Sequence, residues 1–452
     1  MTTPPAEDVL VEALHAADSR TAGAAQAVVA RLIREGSLVS GTRLPTIRDL
    51  AQRSGLSTRA VVAAWSGLRR DGLIETNRRG GTVVAQLESL RGGAVSWSDR
   101  DLLTSSPDYA LQPDLATAML AGLQTDQINR PGRAYITDRL REVVVEGWPF
   151  EAEAFVAAGG GSEGLLLAVE AAAPAGALIA VEEPVMPGFL DTLTEVGFSV
   201  VGVESDEDGA VAASLAAALA REPAVVVLQP EGAYSAAGTL TSARAHELAG
   251  TLEAAAYGGW IVEDDAVGPL AREQAPSMGS YFPERTVRVR SYCKAFGMDI
   301  KTCVIGGSAE LVDRAINTRV HGISANSRIL QDALAHLVTD PDAAALVETA
   351  RACYEWRRTG LVTALAERGA VARSGPNSLV VWVEVKNETG TLIELARKGI
   401  VVGAGSKSHV APKRSGLLRV AVPQLPDDRG LLGELADALA EEAGSTHRER
   451  LE

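Results

Sequence analysis

At 452 residues, 46% hydrophobic and 22% charged, the chain can fill two or three ordinary globular domains. No apolar run approaches the roughly 20 residues of a membrane span, and the acidic, Ala-rich start has no basic leader before an apolar stretch, so neither a membrane anchor nor a secretory signal is expected. The net charge of −15 is spread unevenly, because residues 1–85 hold eleven arginines, no lysine and only eight carboxylates. This predicts a small basic module suited to a polyanion, followed by a large acidic body that is not.

Within 1–85, Ala25, Val28, Val29, Leu32 and Ile33 recur at helical spacing, and Glu35-Gly36 ends that helix. Gly41 to Pro45 is a turn, and Pro45-Thr46 opens a short second helix through Arg53. Gly55 turns the chain, and Ser57 caps a third helix whose inner stripe is Val61, Trp65 and Leu68. Residues 73–76 and 82–85 read as two short strands joined by Asn77-Arg78-Arg79-Gly80-Gly81. Helix, turn, helix and basic hairpin make a winged helix-turn-helix, an α+β module. Its third helix would lead into the major groove with Ser57, Thr58 and Arg59, while Arg43, Arg48, Arg78 and Arg79 reach phosphates and Gly80-Gly81 lets the wing backbone approach the minor groove. The alternative is a helical protein–protein module with a solvated arginine face.

Gly41-Thr42-Arg43-Leu44-Pro45-Thr46-Ile47-Arg48-Asp49-Leu50-Ala51, with Gly55-Leu56-Ser57, Asp71-Gly72-Leu73-Ile74 and Gly80-Gly81-Thr82, resembles the DNA-binding domain of GntR-type bacterial regulators. The resemblance implies operator contacts at Arg43, Thr46, Arg48, Ser57, Thr58 and Arg59.

Residues 86–112 lack periodicity and read as a linker. In 113–445, short apolar runs at 156–158, 177–181, 200–203, 225–228, 260–262 and 286–289 alternate with helical stretches, which predicts an α/β domain on a largely parallel sheet. A smaller α+β lobe begins near Asn377 and ends in a helix over 427–443. Cys293, Cys303 and Cys353 lack paired spacing and read as free thiols in a reducing cytosol.

The chain has six lysines, and the first, Lys294, follows an apolar strand. A lysine so placed is ordinarily a solvated charge, but desolvation can make it a nucleophile. Gly159-Gly160-Gly161-Ser162, between a strand and a helix, can cradle a phosphate on backbone N–H groups. Ser291 can donate to the same phosphate, and Glu263-Asp264-Asp265 offers a carboxylate at a strand end. This order resembles the fold-type I aminotransferases that use pyridoxal 5′-phosphate, and with the GntR-like head the whole resembles the MocR branch of GntR regulators. The resemblance implies that Lys294 carries the cofactor, Asp264 faces its ring nitrogen, and Gly161, Ser162, Ser291 and Lys301 hold its phosphate. Arg419 would grip a carboxylate of the effector; its alternative is a strand-edge surface charge.

The pattern departs around the cofactor ring. Ala266 replaces a tyrosine and Ser235 an asparagine that would both meet the ring phenolate. Lys301 replaces an arginine, and Met186 stands where a tyrosine is expected. The expectation is a cytoplasmic transcriptional regulator, without efficient transamination, whose homodimeric aminotransferase-like body senses a small-molecule effector and whose heads bind operator DNA. The alternatives are a pyridoxal-phosphate aminotransferase with an accessory DNA-binding head, and a regulator whose pocket serves a different ligand.

Overall fold

Apolar residues three and four apart close the N-terminal unit, Met1–Ser96, around one core. The computed structural model describes residues 6–15, 21–34, 37–39, 41–70, 73–76, 81–84, 97–320, 325–410 and 416–444. Helices α2 (Ala22–Arg34), α3 (Ile47–Ser54) and α4 (Thr58–Arg70) pack Val29, Ile33, Leu50, Val61, Trp65 and Leu68 together. Thr46 caps α3 by accepting from Asp49 N at 3.2 Å, and Ser57 caps α4 by accepting from Ala60 N at 3.1 Å. Gly55 takes a left-handed φ of 69° in the turn between these helices.

Strands β1 (Ile74–Thr76) and β2 (Thr82–Val84) pair antiparallel. The segment 41–44 pairs with β2 on its other side, through Leu44 N to Thr82 O at 2.9 Å and Val84 N to Thr42 O at 2.8 Å. An additional helix, α1 (Ala6–His15), lies outside the three expected; it seals the core with Leu10 and Leu14. The sequence pattern there is dominated by alanine and acid, which hides a two-residue apolar contact.

The second unit, Trp97–Glu452, is built on an eight-stranded sheet in the order β3-β10-β9-β8-β7-β4-β5-β6. Its strands are β3 (Ala154–Ala158), β4 (Leu178–Glu183), β5 (Ser199–Asp206), β6 (Gly209–Ala210), β7 (Val225–Leu228), β8 (Trp260–Asp265), β9 (Thr286–Ser291) and β10 (Cys303–Gly307). The pairs joining β5, β4, β7, β8 and β9 are parallel, and β10 runs antiparallel between β9 and β3. Separate apolar clusters cover the two faces, so the strands are buried on both sides.

A four-stranded antiparallel sheet, β11 (Ala372–Arg373), β12 (Val380–Val385), β14 (Gly416–Ala421) and β13 (Gly403–Ala404) in that order, forms the small lobe. The helix Arg429–Gly444 follows it. Among the described residues no helix is long and apolar enough to cross a membrane.

Residues 97–112, expected as part of the linker, are folded onto the body. Leu102 is buried and its carbonyl accepts from Ala421 N at 2.9 Å. Asp108 pairs with Arg357 at 2.8 Å. A backbone bond and one ion pair make these ties, so they leave no apolar rhythm in the sequence.

Candidate functional site

Parallel strands that end together leave a crevice beyond their carboxyl ends. Here the loops after β3, β4, β8 and β9 surround a cavity of about 800 Å³, closed from the small lobe by Gly403 and Arg419. Gly161, Ser162, Asp264, Ser291, Lys294, Lys301 and Arg419, which the sequence singled out, all line it.

At one end the chain turns from β3 into the helix Gly161–Ala172 through Gly160, whose φ is 127° and which supplies no side-chain cap. N–H groups at such a helix start can hold an anion. A Cβ on Gly161 would lie 2.8 Å from the Ser291 Cβ, so only glycine lets the loop close on that serine. Lys301 stands at the same end in a left-handed conformation, φ 41°.

The floor comes from strand alternation at the end of β8. Successive side chains point to opposite faces, so Glu263 and Asp265 turn away from the cavity and Asp264 turns into it. Glu263, Asp265 and Glu231 share Arg288 at 3.2, 3.1 and 2.6 Å in a buried network. Burial favours the neutral form of Asp265, but Arg288 and Arg290 outweigh it and hold that carboxyl low. Asp264 has no such help. Burial, then the neighbouring Asp265 charge, pushes it up to about 7 against the weaker pull of Arg288, and its Oδ2 has no hydrogen-bond partner.

Lys294 projects from the short helix Cys293–Phe296, and burial pulls its amine down to about 8. Its Nζ donates to the Ser105 carbonyl at 2.6 Å. Arg419 is no surface charge. It is 3% exposed and lies over Gly403, where any Cβ would stand 2.3 Å from its Nη2. Nη2 donates to the Leu103 carbonyl at 3.0 Å, while Nε and Nη1 have no partner among the described residues.

Both cations are thus held by one strap, 101–107, that the sequence assigned to the linker. Asp101 shapes the strap by accepting from Leu103 N at 3.0 Å and Thr104 N at 2.8 Å. Ser105 follows at φ 55°, its hydroxyl buried and unpartnered.

Ala266, where the resemblance expects a tyrosine, lines the cavity. Ser235 does not line it. Its Oγ accepts from Ala237 N at 3.1 Å and Gly238 N at 3.0 Å, which spends it on a local turn. Tyr234, one residue earlier and unmarked in the sequence reading, lines the cavity instead. Its carbonyl accepts from Trp382 Nε1 at 2.8 Å, which anchors it to the small lobe. A tyrosine beside the expected asparagine position was the available signal.

The glycine turn at 159–161, the Asp264 Oδ2 without a partner among the described residues and the desolvated Lys294 fit pyridoxal 5′-phosphate, while Ala266 and Ser235 bring no donor to the cavity.

In the N-terminal unit, Arg43, Thr46, Arg48, Ser57, Thr58 and Arg59 are all exposed. Arg43, Arg48 and Arg59 make no ion pair among the described residues. The Arg43 guanidinium lies beside Gly81 at the base of the hairpin, 3.4 Å from where a Cβ would stand. Arg78, Arg79 and Gly80 lie outside the described residues.

Residues 102–439 match the family described as aminotransferase class I and II, and residues 21–84 match the bacterial regulatory proteins of the gntR family. The chain is 26% identical over 420 residues to the vitamin B6 salvage pathway transcriptional repressor PtsJ of Salmonella typhimurium, covering 91% of this chain and 96% of that one. It is 39% identical over 56 residues to the HTH-type transcriptional regulator Rv1152 of Mycobacterium tuberculosis, 12% of this chain and 46% of that one. In fold it resembles an aspartate aminotransferase of Thermus thermophilus, with TM-score 0.66, 19% identity, and coverage of 75% of this chain and 95% of that one. It also resembles a kynurenine aminotransferase of Pyrococcus horikoshii, with TM-score 0.68, 16% identity, and coverage of 79% and 93%. The chain therefore belongs to the class I and II aminotransferase family over most of its length, and with its GntR-family DNA-binding head it is a transcriptional regulator of the MocR type.

Proposed function

We propose that the cavity senses pyridoxal 5′-phosphate, alone or with an amino-acid-like carboxylate, and that its occupancy alters how the heads of a cytoplasmic homodimer bind operator DNA. The observation that carries this reading is the convergence on one space of buried polar atoms without a partner among the described residues: Asp264 Oδ2 and Arg419 Nε and Nη1. Such atoms are costly unless a ligand or water completes them. The similarity to PtsJ, a repressor of the vitamin B6 salvage pathway, supports the same ligand class.

In this reading Gly161, Ser162, Ser291 and Lys301 hold the phosphate, Asp264 meets the ring nitrogen, and Arg419 takes the carboxylate. The cofactor would supply an electrophilic aldehyde on an electron-withdrawing ring. Lys294, held near 8 by burial, keeps a neutral fraction at neutral pH that can attack such an aldehyde. To reach Lys294 and Arg419 a ligand must take them from the strap carbonyls of Ser105 and Leu103. The strap leads back along the chain toward the head, so this exchange gives the two states the differential affinity that coupling requires. The bare phenolate position favours binding over efficient transamination.

One observation favours a ligand without phosphate. A Cβ on Gly159 would lie 2.1 Å from Glu163 Oε2, so that carboxylate is folded over the cradle. It pairs with Arg319 at 3.3 Å, which can draw it aside. The test is an absorbance titration of the full chain with pyridoxal 5′-phosphate, alongside operator binding with and without it. A visible band that Lys294→Ala abolishes, with a shift in operator affinity, is expected. A chain that stays colourless while binding operator would transfer the site to another ligand, and a chain with no operator affinity in either state would overturn the sensing reading.

A further inference from the structure

Away from the cavity and sharing none of its residues, a smaller cleft of about 120 Å³ lies where the loop after β8, the long helix Pro341–Glu367 and the approach to β12 meet. Three arginines line it, and their circumstances differ. Arg351 is spent on structure: Nε donates to the Leu270 carbonyl at 3.1 Å, Nη2 donates to the Pro269 carbonyl at 2.8 Å, and Nη1 meets Glu348. Arg272, on the open rim, pairs with Glu355 at 2.6 Å. Arg358 has almost nothing. It is 8% exposed, and its one hydrogen bond among the described residues is a 3.4 Å contact from Nη1 to the Ser378 carbonyl.

A guanidinium keeps its charge at any ordinary pH, so it cannot escape burial by losing a proton. Buried without an ion pair it is a liability to the fold, and an apolar side chain would fill the same space at less cost. Glu355, the carboxylate in the cleft, is committed to Arg272 and makes no ion pair with Arg358. Burial and the like charge of Arg272 both pull the Arg358 guanidinium down, Glu355 opposing. What the cleft lacks is a small anion with several acceptor oxygens, the shape a guanidinium fork recognises.

We propose that this cleft is a second ligand site, which takes a phosphate group between Arg358, Arg272 and Arg351. Its size admits one such group and excludes a cofactor-sized molecule. The site also abuts the cavity wall through the backbone. Leu379 N donates to the Ala233 carbonyl at 2.9 Å, and Ala233 precedes the cavity residue Tyr234. An anion that fixes Arg358 against Ser378 therefore acts one peptide away from the main site.

The test is calorimetric titration of the full-length protein with inorganic phosphate, and separately with glycerol phosphate, at constant ionic strength. Arg358→Gln should remove one binding event and Lys294→Ala should leave that event in place. Arg272→Ala, on the exposed rim where folding is not at stake, should weaken it about three- to tenfold. Tighter binding of glycerol phosphate than of inorganic phosphate would identify a phosphate ester as the natural occupant, and the reverse order would identify the free ion. An isotherm unchanged in both Arg358→Gln and Arg272→Ala overturns the proposal. So does loss of the dimer in these variants without any loss of phosphate binding, which would give the cleft to a carboxylate of a second copy.

Discussion

Restoring one missing donor tests whether the cavity is a cofactor site with a weakened ring contact. Ala266 lines the cavity two residues after Asp264 on the same run of chain, so Ala266→Tyr returns a phenol to the side where the resemblance expects one. A hydrogen bond to a charged acceptor contributes about 1.5–3 kcal/mol. Fixing the new side chain costs about 0.5–1.5 kcal/mol. The net of about 1–2 kcal/mol predicts affinity for pyridoxal 5′-phosphate about 5- to 30-fold tighter than in the unsubstituted chain. The 800 Å³ cavity has room for the ring, and Ser235 stays engaged in its turn, so no second donor changes at the same time. The assay is an equilibrium titration of the visible band at fixed pH, with circular dichroism to confirm the fold. Affinity unchanged or weaker in a folded Ala266→Tyr protein would refute the placement of the phenolate at this wall and, with it, the orientation assigned to the ring.

Three further outcomes follow from the charges. Asp264 is raised from 3.8 to about 7 in the fold, so the folded state binds more protons between those values and stability falls as pH rises through them. Asp264→Asn should therefore gain nothing near pH 4 and up to about 2–4 kcal/mol above pH 7 in urea unfolding, whereas a pH-independent gain would contradict the assignment. Arg288→Met leaves Glu231 and Glu263 buried without their cation and Asp265 with Arg290 alone, and a loss of about 3–5 kcal/mol is expected at neutral pH by the same assay. Arg48→Ala and Arg59→Ala should each weaken operator binding and lower the salt slope by about one if the contact is to phosphate, measured by fluorescence anisotropy across salt concentrations. An unchanged slope in both would remove them from the DNA-facing surface.

What the sequence disclosed was local. Thr46 and Ser57 cap helices through hydrogen bonds to residues three positions on, so the order of residues was enough to find them. The Gly159–Ser162 turn and Lys294 were legible because each abuts an apolar strand. Strand β10 was not, because its five residues end in two glycines and it pairs antiparallel inside a parallel run. The strap was missed for a related reason. Its bonds to Lys294 and Arg419 span 189 and 316 residues and use backbone carbonyls, which carry no residue-type signature. Arg419 itself was undecided from sequence, since strand spacing fits an edge charge as well as a pocket wall. Gly403, opposite it in register, settles its placement by leaving the space its guanidinium fills.

The charges of the cavity are arranged so that no protein group completes them. Asp264 could have been neutralised by Arg288, yet strand alternation gives that arginine to Glu263 and Asp265 and leaves Asp264 facing the space. Arg419 could have been neutralised by a carboxylate, yet it receives one carbonyl from a strap and keeps two nitrogens open. A fold selected for stability alone would close these pairs, because unpartnered buried polar groups destabilise it. Left open, an acceptor on one wall and donors on another suit the proposed ligand, with a cationic or N–H edge and an anionic end. The strap carbonyls hold the two cations weakly enough to be exchanged, since a carbonyl is a poorer partner for a cation than a carboxylate. The proposed sensing role requires this balance: a site complete enough to stand without ligand, and incomplete enough that a ligand would change which partner its cations keep.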